Sequence, residues 1–138
     1  PTKRFYQSIL LQMKAFYKTY LFEDGGGWAT AFDQSEIYNT SDFGGIWSRV
    51  SPSDLQSINE FGPVFIDFFD GGSGWVCKTT SESSSILFST KDQGLTWSQS
   101  NLDFSCGLIS FASESEGAIL SDMGVAAGSQ YVSVYITQ

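Results

Sequence analysis

The stretch Thr90-Lys91-Asp92-Gln93-Gly94-Leu95-Thr96-Trp97 has an earlier counterpart in Thr40-Ser41-Asp42-Phe43-Gly44-Gly45-Ile46-Trp47, 50 residues before it (Thr40 to Thr90). A Thr, an Asp, a Gly and a Trp recur at the same offsets, and each copy is followed by Ser (Ser48, Ser98). Recurrence at a fixed period indicates a repeat architecture. The match continues upstream, pairing Ile37 with Leu87 and Tyr38 with Phe88. Gly27-Trp28-Ala29 likewise matches Gly74-Trp75-Val76. A weaker third copy begins at Leu108-Ile109-Ser110-Phe111, where Gly117-Ala118 stands in place of Gly-Trp. It runs on through Tyr131–Gln138, with Thr137 corresponding to Thr40 and Thr90.

Each unit reads as four short strands separated by turn signals. In the second unit they fall near 64–69, 74–80, 84–90 and 95–99, divided by Asp70-Gly71-Gly72-Ser73, Ser81-Glu82-Ser83 and Asp92-Gln93-Gly94. The first unit is expected near 15–20, 27–32, 35–40 and 46–50, with 51–63 as connector. Strands at this spacing predict an all-β fold. Composition agrees: 12 Phe, 6 Tyr and 4 Trp favour strands, and 14 Gly favour turns. Residues 3–20 admit two readings. Ile9, Leu10, Met13, Phe16 and Tyr17 have helical spacing, whereas Ala15–Tyr20 reads as a strand, the reading preferred here.

The Thr-x-Asp-x-Gly-x-x-Trp pattern resembles the Asp-box, or BNR repeat, whose ideal form is Ser/Thr-x-Asp-x-Gly-x-Thr-Trp. The second copy matches fully, and the first carries Ile46 in place of Thr. With the Gly-Trp strands, the units look like those of sialidase-like and photosystem II assembly factor-like propellers. The resemblance implies β-propeller-type blades of four antiparallel strands, about three per chain. The expected division is an N-terminal strand or helix over 1–14, blade one over 15–63, blade two over 64–106 and an incomplete blade three over 107–138.

The box is then the hairpin between a blade's third and fourth strands. Asp42 and Asp92 are expected to accept backbone N–H groups. Gly44 and Gly94 take a left-handed conformation. Thr40, Thr90 and Thr96 tie the hairpin, and Trp47 and Trp97 cover it. These are structural roles. Trp28 and Trp75 are expected to pack between blades, with a stacking platform for sugar rings as the sharper alternative. Asp67, Asp70, Glu114 and Glu116 are read as a solvated rim. Asn39-Thr40-Ser41 forms a glycosylation sequon inside the box and is expected to stay unmodified.

The absence of histidine removes the commonest general base and metal ligand, and with them the usual triads. No metal site, cofactor or catalytic residue is predicted. Sialidases of this type hold the substrate carboxylate with three arginines, but this chain has only Arg4 and Arg49. The net charge of -8 argues against nucleic acid as partner. No apolar run is long enough to span a bilayer. Cys77 and Cys106 form either one disulfide or two buried thiols.

These readings converge on a non-enzymatic binding or scaffolding module for protein or glycan partners. A glycan-binding or glycoside-hydrolysing relative of the sialidase-like propellers is the alternative. Closed propellers have 4–8 blades. The chain is therefore expected to close by self-association, two copies giving six blades, or to be a piece of a longer propeller whose third box is cut off at Thr137-Gln138. A secreted, periplasmic or cell-surface location is expected, with the cytoplasm as alternative.

Overall fold

The computed structural model describes residues 16–31, 36–55, 64–126 and 129–137, so the expectation for 1–14 lies outside the described residues. Three antiparallel sheets follow one another along the chain. The first holds β1 (Phe16–Leu21), β2 (Gly27–Ala31), β3 (Ile37–Thr40) and β4 (Ser48–Arg49), in that order. The second holds β5 (Val64–Phe68), β6 (Gly74–Ser81), β7 (Ser84–Thr90) and β8 (Ser98–Leu102), again in order. The third holds β9 (Leu108–Phe111), β10 (Gly117–Ala126) and β11 (Ser129–Thr137). The fourth strands start at Ser48 and Ser98, later than the 46 and 95 read from sequence. The box turn holds the intervening residues, as its hydrogen bonds show below.

The three sheets share one register. Gly27 faces Thr40, Gly74 faces Thr90 and Gly117 faces Thr137 across the second and third strands. On the other side the same glycines face Leu21, Phe68 and Phe111 of the first strands. A slip of one residue would turn every side chain to the opposite face, so a core on both faces locks this register.

Side chains pack between sheets by a repeated device. The Trp28 ring stacks on Phe68 of the next sheet, with centroids 4.5 Å apart and planes 6° from parallel. Trp75 stacks on Phe111 with centroids 4.0 Å apart and planes 9° from parallel. A Cβ added at Gly74 would collide with the Phe68 ring, and one at Gly117 with the Phe111 ring. Each Phe is thus held between the Trp of the preceding sheet and the bare glycine of its own. In the first sheet Leu21 takes the place of the Phe over Gly27, and it is 43% exposed.

Alternation along β6 divides the core in two. Val76 joins Trp28, Ile37, Phe68 and Phe88 between sheets one and two. Trp75 and Cys77 join Ile109, Phe111 and Ile119 between sheets two and three. A Cys77–Cys106 disulfide reinforces the second junction, its Cα atoms 6.4 Å apart. Closing a loop between cysteines 29 positions apart stabilises by about 3–4 kcal/mol. Cys106 is also held through its backbone. Its N–H donates to Ser85 Oγ at 2.9 Å and its carbonyl accepts from Thr79 Oγ1 at 3.3 Å.

Two of the four acidic residues read as a rim bridge this junction instead. Asp67 Oδ2 accepts the Phe111 N–H at 2.7 Å, and Glu114 Oε1 accepts the Ser73 hydroxyl at 2.9 Å. Their partners lie more than 40 residues away, which the turn context of each carboxylate could not reveal.

The sandwich makes Phe68 far more important than Leu21. Phe68→Ala is expected to cost about 3–5 kcal/mol, as for other buried Phe truncations. Gly74→Ala is expected to cost about 1–3 kcal/mol through overpacking. Leu21→Ala should cost less than about 1 kcal/mol. Urea unfolding of the three variants checks the order, and comparable losses at 21 and 68 would contradict it.

Candidate functional site

Both boxes close by the same hydrogen bonds. Thr40 Oγ1 donates to Asp42 Oδ1 at 2.7 Å and accepts the Gly44 N–H at 3.1 Å. Asp42 Oδ1 also accepts the Ile46 N–H at 2.8 Å. In the second box Thr90 Oγ1 donates to Asp92 Oδ1 at 2.8 Å and accepts the Gly94 N–H at 3.0 Å. Asp92 Oδ1 accepts the Thr96 N–H at 2.9 Å, and Asp92 Oδ2 accepts the Thr96 hydroxyl. Ile46 at the matching position has no hydroxyl to offer Asp42.

Each turn has two consecutive left-handed residues, Phe43 (φ 57°) and Gly44 (φ 83°), then Gln93 (φ 61°) and Gly94 (φ 81°). The Gly45 and Leu95 N–H groups return to the carbonyls of Asp42 and Asp92 at 3.1 and 3.2 Å. This is type I′ geometry, whose twist suits a hairpin. Gly44 and Gly94 adopt it freely, whereas Phe43 and Gln93 do so under strain. An N–H bond partly offsets that strain in each, from Phe43 to the Gly25 carbonyl and from Gln93 to the Gly72 carbonyl, both 2.9 Å. Nothing in the residue types at 43 and 93 announced this conformation.

The second box also binds sheet one. Asn39 Nδ2 donates to the Gln93 carbonyl at 2.6 Å, so the sequon's amide is engaged. Trp97 Nε1 donates to the Val50 carbonyl at 2.7 Å, and its ring meets Trp28 edge-on at 6.4 Å. A Cβ at Gly94 would lie 2.8 Å from Val50. Trp97 therefore reaches across to the neighbouring sheet. Trp47, in contrast, is buried with Ala29 and Tyr38 of its own sheet.

Trp28 and Trp75 are 2% and 5% exposed with ring faces taken by Phe68 and Phe111. Sugar stacking requires an open face, so these two rings do not offer the alternative platform. Their protein stacking partners are Phe68 and Phe111, in the first strands of the next sheets.

Two depressions flank the second box. A cleft of about 20 Å³, room for one water, lies between Asn39, Thr40, Gly72 and Gln93. A larger groove of about 310 Å³ is lined by Pro52, Asp54, Phe88, Leu95, Trp97 and Gln99. Phe88 is buried in the core, and Leu95 is 79% exposed. Sequence reasoning singled out Trp97 but none of the other five. They come from a connector, two strands and a turn, which meet only in the fold. Arg49, one of the two arginines, pairs with Glu36 at 3.4 Å. Among the described residues no three His, Cys, Asp or Glu side chains gather into a metal-binding group, and no helix is long and apolar enough to cross a membrane.

The sheets, their common register and the two boxes define an all-β protein of the β-propeller kind. Among solved structures it is similar to YCF48 bound to a D1 peptide, with 19% identity, a TM-score of 0.56, and coverage of 90% of this chain and 36% of that one. The chain thus spans about a third of that propeller. No protein-family model matches the chain, and no curated protein aligns with it.

The Asp42 and Asp92 carboxylates make stability depend on acid. The Ile46 N–H, then the Thr40 hydroxyl, hold Asp42 below the usual carboxylate range. The Thr96 hydroxyl, then its N–H and the Thr90 hydroxyl, do the same for Asp92. A folded pKa below the unfolded one gives stability that is present above about pH 4 and lost as pH falls through the lowered value. Unfolding midpoints measured between about pH 5 and pH 2 should fall, and less steeply in Thr96→Val. An unchanged acid slope in that variant would contradict the role given to the Thr96 hydroxyl.

Proposed function

We propose that this chain is a non-enzymatic, propeller-type binding or scaffolding module whose partner is a protein. One observation carries the reading: 90% of the chain matches part of a propeller solved with a peptide bound. The groove beside Trp97 supports it. A half-buried aromatic next to an exposed Leu95 is a common setting for anchoring a partner side chain. The lack of histidine and of an arginine cluster fits a module without hydrolytic chemistry.

The glycan reading rests on the same groove, where Trp97 adjoins Asp54 and Gln99. An aromatic face with amide and carboxylate neighbours suits a sugar ring. Trp97, not Trp28 or Trp75, is then the stacking residue. The boxes themselves serve as turn braces, since their Asp oxygens and Thr hydroxyls are spent on one another and on backbone N–H groups.

The three sheets among the described residues fall short of the 4–8 blades of a closed ring. Two copies around a two-fold axis would give six. The Cys77–Cys106 disulfide supports an oxidising, exported location.

Binding to a displayed peptide library, with no binding across a glycan array and no hydrolysis of fluorogenic glycosides, is the expected result. Hydrolysis would overturn the non-enzymatic reading, and glycan binding alone would favour the second. Light scattering of the purified 138-residue chain should give twice the 15.2 kDa of one copy. A monomer would contradict the two-copy ring.

A further inference from the structure

We infer that the groove beside Trp97 takes the guanidinium group of an arginine from the partner protein, laid on the indole and paired with Asp54. The inference rests on the protein-binding reading and names the side chain by which the partner is held.

The indole is set in place before any partner arrives. Trp97 Nε1 donates to the Val50 carbonyl at 2.7 Å, and the ring meets Trp28 at 6.4 Å. With its N–H spent, the ring offers the groove a π-surface and no donor. Trp97 is half-buried, and Leu95 and Gln99 beside it are exposed. A π-face attracts a cation, and more strongly where water is partly withdrawn from it.

The polar groups of the groove are mostly acceptors. Ser51 Oγ accepts the Ile37 N–H at 2.8 Å and donates to the Ile37 carbonyl at 3.5 Å. The Ser53 hydroxyl donates to Asp54 Oδ1 at 3.3 Å. Both hydroxyl protons are thus committed inside the protein, whereas the Asp54 carboxylate accepts from several donors at once. Gln99 adds an amide carbonyl. None of the residues that line the groove is Lys or Arg, and the chain carries a net charge of -8. An occupant complementary to these groups brings donors and positive charge.

Arginine meets both demands with one group. Its flat guanidinium stacks on an indole, and its N–H fork points outward in the same plane, toward acceptors at the ring's rim. A lysine ammonium is a strongly hydrated point charge without that plane. A quaternary ammonium has no N–H for Asp54 and is held by a cage of aromatics. Here the only other aromatic in the lining is Phe88, which is 2% exposed. The volume of about 310 Å³ stands at the small end of ligand clefts, in keeping with one anchoring side chain.

The test pans a displayed peptide library against the full chain and resynthesises the tightest binder with citrulline, a neutral isostere, in place of arginine. The Trp97 indole N–H signal should move in the proton–nitrogen NMR spectrum when the arginine peptide is added. Citrulline is expected to weaken binding about ten-fold, the combined scale of a cation–π contact and an ion pair. Asp54→Asn should weaken the arginine peptide about three-fold and leave the citrulline peptide unchanged. If Asp54→Asn does not fold by circular dichroism, salt of about 1 M should narrow the gap between the two peptides instead, since it screens the pair beyond about 3 Å. Equal affinity of the two peptides, an indole signal that stays still, or an undiminished arginine preference in Asp54→Asn would overturn the inference, while leaving the protein-binding reading standing. A library that yields no binder, beside a glycan that moves the same indole signal, would overturn both.

Discussion

The structure depends on one aromatic ring held between a tryptophan and a glycine. Phe68 lies flat against Trp28 on one side and over the bare Gly74 backbone on the other, and Phe111 does the same between Trp75 and Gly117. Stacking of this kind contributes about 0.5–1.5 kcal/mol beyond the area it buries. Its larger effect is positional. A ring with a partner on each face sets both the distance between neighbouring sheets and their register, because a shift of one residue removes the glycine from beneath it.

The two Thr-x-Asp-x-Gly turns act at a second level. Each is a type I′ hairpin whose carboxylate and threonine hydroxyl satisfy backbone donors that the turn leaves open. The second box is also a brace. Its Gln93 carbonyl, its Gly94 and its Trp97 all engage sheet one. The groove beside Trp97 is a by-product of that brace, since the indole leans toward Val50 and opens space against the connector at Pro52 and Asp54.

Much of the fold was legible in the sequence, because the repeat marks it twice. Gly-Trp and Thr-x-Asp-x-Gly placed the second and third strands and the turn between the third and fourth. Those signals are local: a glycine where a ring must pass, a glycine where φ is positive. Links between sheets were not legible. Asp67 and Glu114 looked like solvated turn residues, and their partners at Phe111 and Ser73 come from the adjoining sheet. Spacing left the cysteine pair undecided for the same reason. The candidate site was the least legible part. Pro52, Asp54, Leu95 and Gln99 share no motif, and only the crossing of a connector with the outer strands assembles them.

The stacking residues also give the repeat a phase that its sheets hide. A sheet runs from β5 to β8, but the packing unit runs from Trp28 to Gly74, starting in one sheet and finishing in the next. The interchangeable part is therefore not the blade. A duplication or recombination event that cut between sheets would separate a tryptophan from the phenylalanine it covers. One that cut between the Gly and the Trp of a Gly-Trp pair would carry the whole contact with it. Descent by copying would then favour breakpoints inside sheets, and in the third sheet Ala118 stands where the first two have Trp28 and Trp75.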